Sequence, residues 1–293
     1  MTSMSHRLVV VACTLLASLI LPACSRSTVM APTAERGLLL RTLDVPDPVG
    51  GTRQARYAVL IPRDLDLSTP QPALLFLHGR GECGTDGSRQ AVVGLGSAAL
   101  LEPAQYPFIM IFPQKPTGEL EWGDFEPMVL AILDQAMRDW PIDPDRVVLT
   151  GLSQGGHGTW VIAARNPDRF AAIAPVCGYG PVRWGTKSDP VAERESLARG
   201  VAHLPIWAFH GLRDDVVLPI ETTSMIDAVR AAQSSGTTRP PAPIMTLFPD
   251  ANHNAWDPAY RGEHATDQGP TRLVTWLLAQ RRAQRPQPRA GGR

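Results

Sequence analysis

Val147-Val148-Leu149-Thr150-Gly151-Leu152-Ser153-Gln154-Gly155-Gly156-His157-Gly158-Thr159-Trp160 joins a short apolar run to a helix-length segment through a serine set among glycines. Val147 to Thr150 is brief, β-branched and uncharged, the pattern of a strand buried on both faces. Gly155 to Ala164 is long enough for a helix. Between them, Gly151-Leu152-Ser153-Gln154-Gly155 matches G-x-S-x-G, a sharp strand-to-helix turn that holds the serine hydroxyl exposed. Glycine at the flanking positions lets strand and helix close on one another. The start of that helix also turns unpaired N–H groups and a positive dipole end toward any oxygen that gathers negative charge nearby. Such a pentapeptide also arises by chance as a plain turn. Its position between a buried strand and a helix is what argues for chemistry.

Outward from this point, similar apolar runs recur at Leu38 to Val45, Arg56 to Ile61, Ala73 to Leu77, Phe108 to Phe112, Ala171 to Val176, Ile206 to Phe209 and Ile244 to Phe248. With Val147 to Thr150 they predict eight strands. Helical stretches fall between or after them at Glu126 to Trp140, Gly155 to Ala164, Ile220 to Ser234 and Thr271 to Arg282. This alternation predicts an α/β fold, a mostly parallel sheet covered by helices on both faces. The first two runs are separated only by the turn residues Pro46 to Gly51, so an antiparallel pair is expected to open the sheet. In open α/β sheets chemistry sits beyond the carboxyl ends of the strands, and the residues there are the candidates.

A serine hydroxyl is a weak nucleophile that needs a base, and the base needs a third group to fix its tautomer. Nucleophile turns of this kind take the acid and then the base from later strand ends. The run ending at Phe209 leads into His210-Gly211-Leu212-Arg213-Asp214-Asp215, which offers Asp214 or Asp215 as the acid. The run ending at Phe248 leads into Pro249-Asp250-Ala251-Asn252-His253, which offers His253 as the base. His264 is the weaker candidate, in a polar stretch away from the predicted strands. His78 and His210 each precede a glycine at a strand end and read as turn packing. His157 reads as structural and His203 as surface. The loop His78-Gly79-Arg80-Gly81-Glu82-Cys83-Gly84 can turn main-chain N–H groups inward, so the backbone N–H groups of Arg80 and Gln154 are the expected oxyanion hole. As a bland alternative it is a glycine-rich turn that binds nothing. No G-K-[ST] follows to make it a phosphate loop, and no H-E-x-x-H or paired C-x-x-C supports a metal site. Trp122, Trp184 and Trp256 flank these positions and are candidates for a substrate pocket or, equally, for core packing.

The set HGRGECGTDG (78–87), Pro113-Gln114 followed by Trp122, GLSQGGHGTW (151–160) and ANHNAWDPAY (251–260) resembles the α/β-hydrolase fold esterases of the predicted-peptidase, polyhydroxybutyrate-depolymerase-like and phospholipase/carboxylesterase-like group. The likeness spans about residues 55 to 280. It implies carboxylic ester hydrolysis through an acyl-enzyme, with no cofactor, and an oxyanion loop that follows H-G. The family pattern H-G-x-x-D-x-x-V selects Asp214 over Asp215. Two departures bear on the pocket: Cys83 stands where such enzymes often carry Arg, and Pro181 to Arg199 matches no legible pattern. A serine peptidase or amidase would need the same three residues, and a non-catalytic surface-anchored binding lipoprotein is the rival outside enzymes.

The chain has 293 residues, 44% hydrophobic and 19% charged, the composition of a globular protein that buries one large core. Its formal net charge is zero, so no field favours nucleic acid as a partner. His6 and Arg7 precede an almost unbroken apolar run from Leu8 to Leu21, a secretory signal pattern. The run falls short of the ~20 residues that a spanning helix needs. Leu21-Pro22-Ala23-Cys24 resembles a bacterial lipobox, which predicts lipidation at Cys24, anchorage of an exported enzyme, and, from Ser25, a lean toward the outer membrane. Ordinary signal cleavage is the alternative. The expected organisation is a signal peptide over 1–24, a tether over 25–36, a catalytic domain over 37–283 and a tail over 284–293. Cys83 and Cys177 are left within the domain as a disulfide or as two free thiols. The oligomeric state leaves no mark in the sequence.

Overall fold

The computed structural model describes residues 35–181, 190–235, 240–266 and 269–282. The expected signal peptide with Cys24, most of the tether, Trp184 and the tail lie outside the described residues. Of the tether residues, Arg36 donates from its guanidinium to the Leu65 carbonyl at 3.3 Å. Among the described residues no helix is long and apolar enough to cross a membrane.

Eight strands form one sheet: β1 (Gly37–Pro46), β2 (Thr52–Ile61), β3 (Gln71–Leu77), β4 (Ile109–Pro113), β5 (Ile142–Leu152), β6 (Ala172–Val176), β7 (Trp207–Gly211) and β8 (Ile244–Phe248). Their spatial order is β1-β2-β4-β3-β5-β6-β7-β8. β1 and β2 pair antiparallel, as the short connection between them predicts, and β2 meets β4 antiparallel. From β4 onward every neighbouring pair is parallel.

The helices are α1 (Leu95–Leu101), α2 (Glu126–Asp139), α3 (Gln154–Arg165), α4 (Pro190–Val201), α5 (Ile220–Ser235), α6 (Trp256–Arg261) and α7 (Leu273–Leu278). Side chains alternate across a strand, so each strand from β2 to β8 feeds two cores. Leu75 and Leu77 of β3 pack with Met128 and Ile132 of α2, Trp160 and Ile162 of α3, and Met225 of α5 on one face. Leu74 and Phe76 pack with Leu95 of α1, Tyr260 of α6 and Leu273 of α7 on the other. Burial on both faces is why the central strands read as continuous apolar runs.

The expected helix from Thr271 to Arg282 is corrected at both ends. Thr271 and Arg272 pair antiparallel with His264 and Glu263 in a two-residue ladder, and the helix proper covers only Leu273–Leu278. Thr271 is β-branched and loses side-chain freedom in a helix, so the local pairing prevails there. α1, α4 and α6 were not foreseen. Each is short or, like α6, holds a proline, and none repeats an apolar face for long enough to stand out.

Candidate active site

Three loops, each leaving the carboxyl end of a strand, bring Ser153, Asp214 and His253 together. Ser153 stands between β5 and α3 with φ +55°, a left-handed conformation that strains a residue with a Cβ. Its N–H donates to the Val176 carbonyl at 2.9 Å, which fixes the turn against β6. Gly155 makes the turn possible: a Cβ there would lie 1.9 Å from the Leu77 carbonyl oxygen, so β3 and α3 close only over glycine. Gly211 does the same for the other two loops, since a Cβ would lie 2.2 Å from the Asn252 carbonyl oxygen.

The Ser153 hydroxyl is 2.9 Å from His253 Nε2, and His253 Nδ1 is 2.7 Å from Asp214 Oδ2. A carboxylate accepts and does not donate, so Nδ1 carries the ring proton and Nε2 offers its lone pair to the serine O–H. Asp214 is buried, and its Oδ1 accepts the N–H groups of Val216 and Val217, both at 2.9 Å. Asp215, the other acid offered by the sequence, is exposed. The imidazole of His253 is 20% exposed, open enough to meet a substrate.

The Esterase family model matches residues 129–240. Feruloyl esterase B of Neurospora crassa is 26% identical over 224 residues, which cover 65% of this chain and 74% of that protein. Poly(3-hydroxyalkanoate) depolymerase C of Paucimonas lemoignei is 30% identical over 131 residues, 39% of this chain and 29% of that protein. A solved thermostable esterase superposes with a TM-score of 0.63 at 24% identity, over 83% of this chain and 63% of its own. The chain has the α/β-hydrolase fold. These relatives are named as ester hydrolases, and the match to the depolymerase is confined to under a third of that larger protein.

Of the two N–H groups expected to form the oxyanion hole, that of Gln154 directly follows Ser153 and that of Arg80 lies in the loop after Gly79. Gln154 is the first residue of α3, where main-chain N–H groups have no acceptor inside the helix. Arg80 opens a single 3₁₀ turn, Arg80–Glu82, after Gly79. The Cβ site of Gly79 is 3.6 Å from that of Ser153, which lays this loop against the serine.

The histidines read as bland are all accounted for, and one reading changes. His78 is buried, with Nδ1 2.6 Å from the Gly79 carbonyl, and His157 is buried and stacked on Tyr179 with ring centroids 4.5 Å apart. His203 is half-buried on the Pro167 carbonyl. His264 packs among Trp207, Phe209 and Phe248 and bonds the Ala259 carbonyl at 3.0 Å, so it has no part in the cluster. His210 does more than pack a turn. Its Nε2 lies 3.1 Å from Asp214 Oδ2 and 2.8 Å from the Val217 carbonyl, two acceptors that share one N–H. Its Nδ1 then accepts the Thr222 hydroxyl at 2.7 Å. Burial pushes the His210 pKa down, against the pull of Val217 and Asp214, and keeps the ring neutral. The i, i+4 spacing of His210 and Asp214 was the signal available for this contact.

Of the two readings of Trp122, pocket or core packing, its burial supports core packing. It is wholly buried, its indole N–H donates to the His78 carbonyl at 3.0 Å, and its ring packs edge-on to His78. Trp256 is half-buried and stands edge-on to His253 with centroids 5.6 Å apart, so it walls the base. Cys83 and Cys177 are free thiols, half-buried and buried respectively, which selects that alternative over the disulfide. Burial pushes both thiol pKa values up.

Proposed function

We propose that the chain is an exported serine hydrolase that cleaves carboxylic esters through an acyl-enzyme on Ser153. The observation that carries this reading is the unbroken relay from the Ser153 hydroxyl through His253 to the buried Asp214 carboxylate. In the first half-reaction Ser153 Oγ attacks the ester carbonyl as His253 Nε2 takes its proton. The tetrahedral oxyanion is held by the Gln154 and Arg80 N–H groups, and the alcohol leaves with the proton returned by His253. In the second, His253 draws a proton from water, which attacks the acyl-serine and releases the acid. Asp214 keeps the Nδ1–H tautomer and stabilises the imidazolium in both.

Trp256 gives the site an aromatic wall, which suits an aromatic or short acyl group more than a long lipid chain. The names of the relatives, a feruloyl esterase and a polyester depolymerase, support acyl groups of that kind. The test is side-by-side turnover of methyl ferulate, p-nitrophenyl acetate and a peptide p-nitroanilide. Ester kcat/KM values at least about 100-fold above the anilide are expected, since one catalytic constellation serves both bond types and only pocket and leaving group separate them. A preference for the anilide would replace this reading with a peptidase.

Export and lipid attachment at Cys24 rest on the signal pattern of residues 1–24, with the outer membrane favoured by Ser25. Labelling of expressing cells with a palmitate analogue checks this. Incorporation into the parent and its loss in Cys24→Ala are expected; an unlabelled parent that still leaves the cytoplasm would point to ordinary signal cleavage.

A further inference from the structure

Lys115 is one of only two lysines in the chain, and its side chain is wholly shielded from solvent. Its ammonium donates to Gln154 Oε1 at 2.7 Å and to the Leu120 carbonyl, and lies 5.8 Å from the Trp122 ring centroid. Both bonded acceptors are neutral. A cation taken from water in this way is an incomplete electrostatic pair, and lysine is almost never fully buried without a charged partner. The main chain of the same residue is bonded to the 78–84 loop. Its N–H donates to His78 Nε2 at 2.9 Å, and its carbonyl accepts the Gly84 N–H at 3.0 Å. The amide of Gln154 goes on to the Gly118 and Leu120 carbonyls at 3.2 and 3.4 Å. One residue is therefore tied to the 78–84 loop that carries Arg80 and to the side chain of Gln154.

We propose that Lys115 is a positioning residue of the oxyanion hole, clamping the Arg80 loop and Gln154 in one geometry and supplying the positive charge that a transient oxyanion completes. The proposal rests on the reading of Ser153 as an acyl-transfer nucleophile with those two N–H donors. Its physical logic is preorganisation. The ammonium is already desolvated before reaction, so negative charge developing beside Gln154 is met by a fixed cation without reorganisation. Burial pushes the Lys115 pKa down to about 8. The groups that face it are Cys83, Glu121 and Asp124, which pull it back up, Arg80, which lowers it further, and His78, which burial holds at about 4 and therefore neutral at pH 7. The cation is thus present at pH 7 and lost as pH rises through about 8.

The experiment measures kcat and KM for p-nitrophenyl acetate from pH 6 to 10 in the full chain, in Lys115→Met and in Lys115→Arg, with fluorophosphonate labelling of Ser153 in each. In the parent, kcat is expected to hold to about pH 8 and then decline. Lys115→Met is expected to lose about 10- to 100-fold in kcat at pH 7 with KM changed less than about threefold, and to lose the alkaline decline. Lys115→Arg keeps a cation that does not titrate, so it should recover part of that kcat and stay level to pH 10. A parent profile flat to pH 10, a Met variant within about twofold of parent kcat, or an Arg variant that keeps the alkaline decline would each overturn the proposal. If Lys115→Met does not fold, the parent and Arg profiles decide. An unlabelled Ser153 in folded parent would strike the acyl-enzyme reading itself, whereas a labelled Ser153 with an unaltered profile strikes Lys115 alone.

Discussion

Ser153→Ala is expected to lower kcat/KM for a p-nitrophenyl ester by at least about 10⁴-fold, or about 5.5 kcal/mol of transition-state stabilisation. The acyl-enzyme has no other place to form once the hydroxyl is gone. What remains is the hole and the binding energy, which alone sustain a small rate above that of water. Stability should move little, within about 0.5 kcal/mol, because alanine suffers the same strain at φ +55° and the hydroxyl's bond is to His253 alone. Two measurements check this. Intact-mass analysis after fluorophosphonate treatment should show one adduct in the parent, mapped to Ser153, and none in the variant. Thermal melts should superimpose. An adduct that persists in the variant, or a residual rate above a tenth of the parent's, would move the nucleophile elsewhere, with the half-buried Cys83 in the adjoining loop the first place to look.

Much of this architecture was legible because parallel strands buried on both faces leave continuous apolar runs. All eight were found, though β5 begins five residues before its predicted run, and the stretches beyond β7 and β8 offer Asp214 or Asp215 and His253, with the family pattern choosing Asp214. Legibility stopped where burial is decided by segments distant in sequence. Nothing in Pro113-Gln114-Lys115 says that the lysine lies inside. That depends on the 115–120 segment folding back over α3, where Gln154 and the Leu120 carbonyl take its protons. Trp122 reads equally as pocket or core until the His78 carbonyl is found to satisfy its N–H, which lets the whole ring pass into the core. His210 reads as a turn residue for the same reason, since its contact with Asp214 requires the loop after β7 to curl back on the strand end. Pattern reports the faces of elements. It does not report which polar atoms from remote loops will neutralise one another.

Asp214→Asn is the second large effect, because the carboxylate occupies a place that only an acceptor on both oxygens fits. Oδ1 takes the Val216 and Val217 N–H groups, and Oδ2 faces the N–H groups of His253 and His210. An amide has one acceptor oxygen. If it stays on Val216 and Val217, the NH₂ group points at His253 Nδ1 and at His210 Nε2–H. His253 then turns to the opposite tautomer, with its proton on Nε2, and cannot accept the one from Ser153. His210 is left donor against donor, and because burial keeps its ring neutral and Thr222 holds its Nδ1, it has no low-energy way to reverse. A kcat loss of about 10³- to 10⁴-fold is expected, with KM little changed. A stability loss of about 1–3 kcal/mol should accompany it, from the buried amide N–H of the new asparagine that faces the His210 donor without an acceptor, while the His210 N–H itself keeps the Val217 carbonyl. Asp215→Asn is the matched control: its side chain is exposed, and activity within about twofold of the parent is expected. Stopped-flow kinetics separate the outcomes, since a wrong tautomer slows acylation in molecules that melt cooperatively, whereas misfolding reduces the active fraction and leaves the rate of the remainder intact. If Asp215→Asn proves the damaging change, or Asp214→Asn stays within tenfold of the parent, Asp214 does not orient the base, and the hydrogen bond to His253 is a packing contact only.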